Sequence, residues 1–290
     1  TGIIVMQPDP ISFGTLFDNK LEPEVYGFGM LGALIEAARR EGITDYPVHI
    51  KVDTGMHRLG FLPEEIPALI DVLKHQNALT PRSIFSHFAG SDSPLFDDFS
   101  KLQKARFDRA AETLQQAFGH KILRHICNSA GAERFADARE DMVRLGIGLY
   151  GISPIEENKN LHPISTLKTI ILQMHNVPAD ETVGYSRKGT LERDSRIAAL
   201  PIGYADGLNR KLGNGKGYCI VNGKRAPYIG NICMDVCMID VTGIDCKEGD
   251  TVEIFGPNLP VTTIAEWLET IPYEVLTSVS ERIKRVYYSD

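Results

Sequence analysis

Apolar positions in the first half of the chain follow two alternating rhythms. Short apolar runs at Ile3 to Met6, Val48 to Asp53, Ser83 to Phe88, Leu123 to Cys127 and Met142 to Leu149 predict strands. Between them, apolar residues recur at helical spacing. Leu31, Leu34, Ile35 and Ala38 mark a half-buried helix that stops before Gly42. Ile66, Leu69, Ile70 and Leu73 mark a second, with Pro63 in its first turn, and Phe107, Ala110, Ala111, Leu114 and Phe118 mark a longer one ending at Gly119. Strands joined by helical crossovers make a parallel sheet with helices packed outside it. Beyond about Pro154 the period becomes two. Lys168 to His175, Ile197 to Ile202, Tyr218 to Val221, Ile232 to Val241 and Thr251 to Phe255 predict strands, with a hairpin at Asn222–Gly223 and helices at Ile264 to Ile271 and Glu274 to Arg285. The expected organisation is a partial (β/α) barrel over residues 1–155 and a β domain with closing helices over 156–290. Five strands are too few to close an eight-stranded barrel. The fold class expected is therefore α/β, an incomplete (β/α)8 barrel followed by a mostly-β domain, with the front of the barrel outside these 290 residues.

Polar, chemically useful residues gather after the strands: Asp53 to Arg58, His87 to Asp92, Asn128–Ser129 and Arg144 to Gly146. In a (β/α) barrel that end carries the active site. The stretch HICNSAGAERFADAREDMVRLGIGLYG combines amides at a strand-to-helix turn, a hydroxyl (Ser129), a fixed cation (Arg144) and glycines that admit close approach. Two readings stand on these residues alone: a site for a phosphorylated planar cofactor, or a structural βαβ unit with a satisfied arginine. KVDTGMHR is likewise a surface turn with a local ion pair or part of that site, and His87 in SHF a core histidine or a neighbour of Arg58 and Arg144.

A formal charge of −7 argues against nucleic acid or an anionic membrane as partner, and no apolar run has the length of a membrane span. No signal peptide is legible. The five cysteines suit a reducing cytosol. Cys233 and Cys237 are expected on one face of a strand as buried thiols, and the eight histidines show no metal-ligand spacing, so no metal is expected. In the β domain, Tyr185 in VGYS, Tyr204 in PIGYADG and the CMD segment expected within a strand are each weak signals alone.

Together they are specific. KVDTGMHRLGF, SHF, HICNSAGAE, MVRLGIGLYG, GYS, PIGYADG and CMD follow one another in an order that resembles the alanine racemases, from about His49 to Val241 and more loosely to the C-terminus. The resemblance implies a pyridoxal 5'-phosphate enzyme with a TIM-type barrel and a C-terminal β domain, acting in the cytoplasm as a head-to-tail homodimer that interconverts L- and D-alanine for cell-wall peptidoglycan. It implies that Ser129, with Asn128 and the backbone of Gly146 and Ile147, holds the phosphate. Arg144 would face the pyridine nitrogen with His87 buttressing it, and Arg58 would support the ring hydroxyl and the substrate carboxylate. Lys51 matches a lysine that is often carbamylated to balance Arg58. Tyr185 would be a catalytic base reaching across from the partner subunit. The Met234 amide would receive the substrate carboxylate beside Asp235, and Tyr204 and Asp92 would line the access corridor.

Racemisation removes a proton from one face and returns it on the other, so two bases are needed. A phenol, with an ordinary pKa of about 10, serves only where cations stabilise its anion, a task for Arg58 and His87. An arginine at the ring nitrogen has no proton to give, which weakens the electron sink and limits transamination. Three departures from the family pattern count. The family's cofactor lysine, in a lysine-alanine-x-alanine-tyrosine-glycine segment, has no counterpart here, and Lys20 lies in no such context. This chain alone is therefore expected to be inactive, as the racemase part of a longer protein such as a Mur ligase fusion. Asn231 stands where the family usually has arginine, and Glu281 where some members have a phosphate-binding tyrosine. The rival readings are a racemase of broader amino-acid specificity and a non-catalytic pyridoxal-phosphate-binding domain; Tyr185 and Met234 weigh against the latter.

Overall fold

A computed structural model describes residues 2–155 and 161–288. The chain divides into two compact units, Thr1–Leu161 and His162–Asp290. The first is built on a parallel sheet of five strands in sequential order: β1 (Ile4–Val5), β2 (Glu22–Val25), β3 (Tyr46–Lys51), β4 (Leu79–Phe85) and β5 (Leu123–His125). Helices α1 (Phe13–Asp18), α2 (Phe28–Arg40), α3 (Ile66–Lys74) and α4 (Asp97–Ala117) cross between them, and α5 (Ser129–Arg134) follows β5. This is the half-barrel expected, but two of its strands differ from the expectation. Glu22–Val25 is a strand although it reads Glu-Pro-Glu-Val, and Met142 to Leu149 is not one. There the chain makes one strand-like bond, Arg144 N–H to Cys127 O at 3.0 Å, then turns at Gly146 into a short 3-10 helix, Ile147–Tyr150.

Side-chain alternation gives the sheet two chemically distinct faces. Val25, Val48, Ile50 and Ile84 join the apolar core made with α2, α3 and α4, where Leu34, Ile66, Leu69, Phe107 and Leu114 are fully covered. The intervening residues Glu22, Glu24, His49, Lys51, Ser83, Phe85 and His125 point the other way, and they too are buried. In-register pairing sets Glu24 beside His49 and His49 beside Ser83, with Lys51, Phe85 and His125 in the row next along. The helices stop and start as their sequences dictate. Asp97 and Asp98 favour the N-terminus of α4 and Arg39 and Arg40 the C-terminus of α2, each opposing the helix dipole.

The second unit is mostly β. One antiparallel sheet orders β13 (Cys237–Asp240), β10 (Ser195–Leu200) and β7 (Gln173–Val177); another orders β12 (Lys224–Pro227), β11 (Tyr218–Val221), β14 (Thr251–Phe255) and β6 (Leu167–Ile170). A small ribbon pairs β8 (Thr182–Val183) with β9 (Gly189–Thr190), and α6 (Val261–Leu268) and α7 (Pro272–Ser278) complete the unit. The Asn222–Gly223 hairpin forms as expected, with φ of 48° and 76° at its two central residues, the mirror-image turn that such a pair favours. Lys168 to His175, expected as one strand, is two. Ile171 N–H bonds Asp250 O and Leu172 N–H bonds Ala199 O, so the chain changes sheets at this point. Ile232 to Val241 shortens to Cys237–Asp240 because residues 231–236 form a turn closed by Cys233 N–H to Val236 O at 2.9 Å. Cys233 and Cys237 therefore do not share a strand face: Cys237 is buried in β13 and Cys233 half-buried in the turn.

Candidate active site

In the first unit the expected residues meet around Arg144. Its Nη1 donates to His125 Nδ1 at 2.5 Å; its Nη2 donates to Ser86 O at 2.6 Å, Ile126 O at 3.1 Å and His87 Nδ1 at 3.2 Å. Nε has no protein partner among the described residues. The guanidinium lies over the Phe85 ring, 5.2 Å from its centre, and His125 stacks on that ring at 4.8 Å. Burial lowers the Arg144 pKa to about 10, so it remains charged at neutral pH. The closer buttress is thus His125, which stands inside an apolar run and gives no signal of its own in the sequence; His87 is the longer contact.

Burial, and then the charge of Arg144, lower the His125 pKa to about 3 and the His87 pKa to about 4. Both rings are neutral at pH 7, so His87 is not a cation there; Arg58 is exposed but close enough to depress both His87 and Arg144. Stability follows from the sign of these shifts. Because the unfolded chain takes up the proton first, near pH 6.5, the contribution of a buried neutral His125 is complete above that value and lost as pH falls towards 3. Denaturation at pH 7 and pH 5 should differ by about 2 kcal/mol from His125 alone, and a His125→Gln variant should remove that difference. An unchanged wild-type midpoint would contradict it.

Beside Arg144, Ser129 Oγ accepts the amide of Gly146 at 2.9 Å and that of Gly148 at 3.3 Å. An oxygen holding two N–H donors is left to act as a donor itself. Asn128 caps α5, its Oδ1 accepting Gly131 N–H at 2.9 Å and the Ser91 hydroxyl at 2.8 Å. Gln103, wholly buried on α4, ties the loop bearing His87 to the turn after β3 by bonds to His87 O, Ala89 N–H and Thr54 Oγ1. Asp53 Oδ1 accepts the amides of Gly55 and His57, which shapes the turn that carries Arg58. Lys51 is buried with its Nζ 3.1 Å from Glu24 Oε1. That approach is a charge contact without hydrogen-bond alignment, since Oε1 has no hydrogen-bond partner, while Oε2 accepts Gln7 N–H at 2.9 Å. Glu24 thus gives Lys51 a buried counter-charge on the adjacent strand.

In the second unit, Met234 and Asp235 sit at the tip of the 231–236 turn rather than within a strand, and the Met234 amide donates to nothing among the described residues. Tyr204 N–H and Ala205 N–H bond Cys233 O and Met234 O, both at 3.0 Å. Arg282 joins this turn to the GYADG loop, its Nε donating to Asp206 Oδ1 at 2.7 Å and its Nη2 to Asp235 Oδ1 at 2.6 Å. Tyr185 is exposed at a tight turn after β8, and its carbonyl accepts from Asn231 Nδ2 at 3.1 Å. Asn231 also accepts from Asn214, so it braces this region without the charge of an arginine. Among the described residues no cluster of histidine, cysteine or acid could hold a metal, and no helix is long and apolar enough to cross a membrane.

A parallel half-barrel with a hydroxyl, turn amides and a locked arginine at its strand ends, followed by a β unit bearing exposed tyrosines, is the arrangement expected of a barrel enzyme that uses a phosphorylated aromatic cofactor. Comparison with known proteins narrows the class. Residues 2–154 match the model of the alanine racemase N-terminal domain and residues 164–287 that of its C-terminal domain. Alanine racemase 1 of Clostridium acetobutylicum is 38% identical over 98% of this chain and 76% of its own length. The alanine racemase of Desulfovibrio desulfuricans is 37% identical over 98% and 77%. Among solved structures, the alanine racemase of Streptomyces coelicolor A3(2) superposes with a TM-score of 0.92 at 28% identity, covering 100% of this chain and 79% of that one. That of Bartonella henselae, which carries covalently bound pyridoxal phosphate, superposes with 0.87 at 29% identity, covering 99% and 79%. The chain belongs to the alanine racemase family, pyridoxal-phosphate-dependent isomerases, and spans about three quarters of the length of these relatives.

Proposed function

We propose that this protein contributes to two-base racemisation of alanine for peptidoglycan precursor supply, in the cytosol and as a homodimer. The observation that supports the cofactor assignment is Arg144: protein acceptors take up its Nη groups, and its Nε–H has no protein partner among the described residues. The residues present fit pyridoxal phosphate. Ser129, Asn128 and the backbone at Gly146 and Ile147 would hold the phosphate, and Arg144 Nε–H would meet the ring nitrogen. When bound, the cofactor supplies an electron sink for the charge left as the α-proton departs. Arg144 donates a hydrogen bond without surrendering a proton, which keeps that sink weak and suppresses side reactions. Arg58 and the Met234 amide orient the substrate carboxylate, with Asp235 holding the turn through Arg282. The Tyr185 hydroxyl, from the partner copy, exchanges the proton on one face, and Tyr204 and Asp92 border the access route.

The opposite face requires a second base. No lysine in these 290 residues stands in the family's first-strand context, so the chain by itself is proposed to bind cofactor without turnover. Pyridoxal phosphate titrated into the purified chain should perturb the cofactor's absorbance, and Arg144→Ala should weaken binding about tenfold or more, as loss of a charged hydrogen-bond donor does. D-Alanine should not accumulate from L-alanine. Appreciable turnover by residues 1–290 would overturn the inactivity, and no binding would overturn the cofactor assignment.

A further inference from the structure

Behind Arg144 runs a buried hydrogen-bond chain. His125 Nε2 lies 3.1 Å from Ser83 Oγ, Ser83 Oγ lies 2.6 Å from His49 Nδ1, and His49 Nε2 lies 2.8 Å from Glu22 Oε2. Glu22 Oε1 accepts in turn from Arg82, which is half exposed. The two ends allow one direction only. A guanidinium can only donate, so His125 Nδ1 must be the acceptor and its Nε2 must carry the proton. Ser83 then accepts from His125 and donates to His49 Nδ1, and His49 Nε2–H donates to a carboxylate, which can only accept. Every bond points from Arg144 towards Glu22. The five side chains come from four adjacent strands and the segment after β5, and a register shift between Val48 and His49 brings His49 level with Ser83. His49, His125 and Ser83 are at most 2% exposed, so water does not compete for these bonds.

We propose that Glu22, His49 and Ser83 are positioning residues for Arg144: through this one-way chain they hold His125 as the Nε2–H tautomer, its Nδ1 turned to the guanidinium, and so fix the direction in which Nε–H is presented. That this Nε–H meets a cofactor ring rests on the function proposed above; the chain of bonds does not. Nitrogen-15 NMR of the histidine-labelled full chain tests it. Wild type should show His125 and His49 each as the single Nε2–H tautomer. Ser83→Ala takes away the acceptor of His125 Nε2–H, so part of the population should turn the ring off the guanidinium to satisfy that proton elsewhere and there show the other tautomer, one hydrogen bond accounting for about a fivefold preference. Glu22→Gln retains an acceptor for His49 and should leave both tautomers as they are. A merely structural role would make both variants lose stability without this split. Mixed tautomers in wild type, or variants that change His125 alike, would overturn the proposal, and the wild-type spectrum decides even if Ser83→Ala does not fold. A chain with the expected tautomers that fails to bind pyridoxal phosphate would count against the cofactor assignment alone.

Discussion

Glu24→Leu, with Lys51 left in place, should cost the fold about 3–5 kcal/mol, because it strands a buried ammonium with no counter-charge. Lys51 is 4% exposed and Glu24 0%, and the contact of 3.1 Å between them crosses adjacent strands. Lys51→Met alone should cost a similar amount. The double variant Glu24→Leu/Lys51→Met should recover much of the loss, since an apolar pair of like volume removes both desolvation penalties together. Urea midpoints of the four proteins form a cycle that isolates the coupling. Single variants that cost under about 1 kcal/mol, the range of exposed pairs, would show that the two charges are solvated. Against a usual total stability of about 5–15 kcal/mol, the predicted loss is large.

A second large effect is expected in the β unit. A Cβ at Gly203 would lie 2.2 Å from Met234 O and 2.4 Å from Cys233 O, both backbone atoms in the turn that presents the Met234 amide. The conformation at Gly203 is ordinary extended backbone, so glycine is needed for the close approach and not for its dihedral angles. Gly203→Ala must push the two loops apart and break the bonds from Tyr204 and Ala205, at about 3 kcal/mol or more. The measurement is again a denaturation midpoint, with amide exchange expected to rise at Tyr204 and Ala205. A Gly203→Ala protein of wild-type stability would mean that the loops are not in contact.

The elements that the sequence made legible were those whose signal is local. Helical periodicity placed α2, α3 and the C-terminal half of α4, which begins ten residues before the first apolar position read, and the asparagine–glycine pair placed the β11–β12 hairpin. Glu22–Val25 was illegible because two carboxylates and a proline read as a loop; their partners, His49, Arg82 and Lys51, lie 27, 60 and 27 positions away. Met142 to Leu149 misled in the opposite sense, being apolar enough for a strand but held by Ser129 in a turn. Ser129, Arg144 and Asn128 could be singled out from their place after strands, and the resemblance to a family gave them roles. His125 was hidden because nothing in its own neighbourhood reveals the arginine that it faces 19 residues later.

The two carboxylates of β2 stand two residues apart, so one short strand delivers both anions to the same side of the sheet. Most strands hold their alignment by which face is greasy. A shift of β2 by a single position would turn Pro23 and Val25 towards His49 and Lys51 and carry Glu22 and Glu24 into hydrocarbon. Misalignment during folding is thereby penalised twice over, on both sides of the ribbon at once, and Glu-Pro-Glu-Val works as an electrostatic key that seats in one notch only.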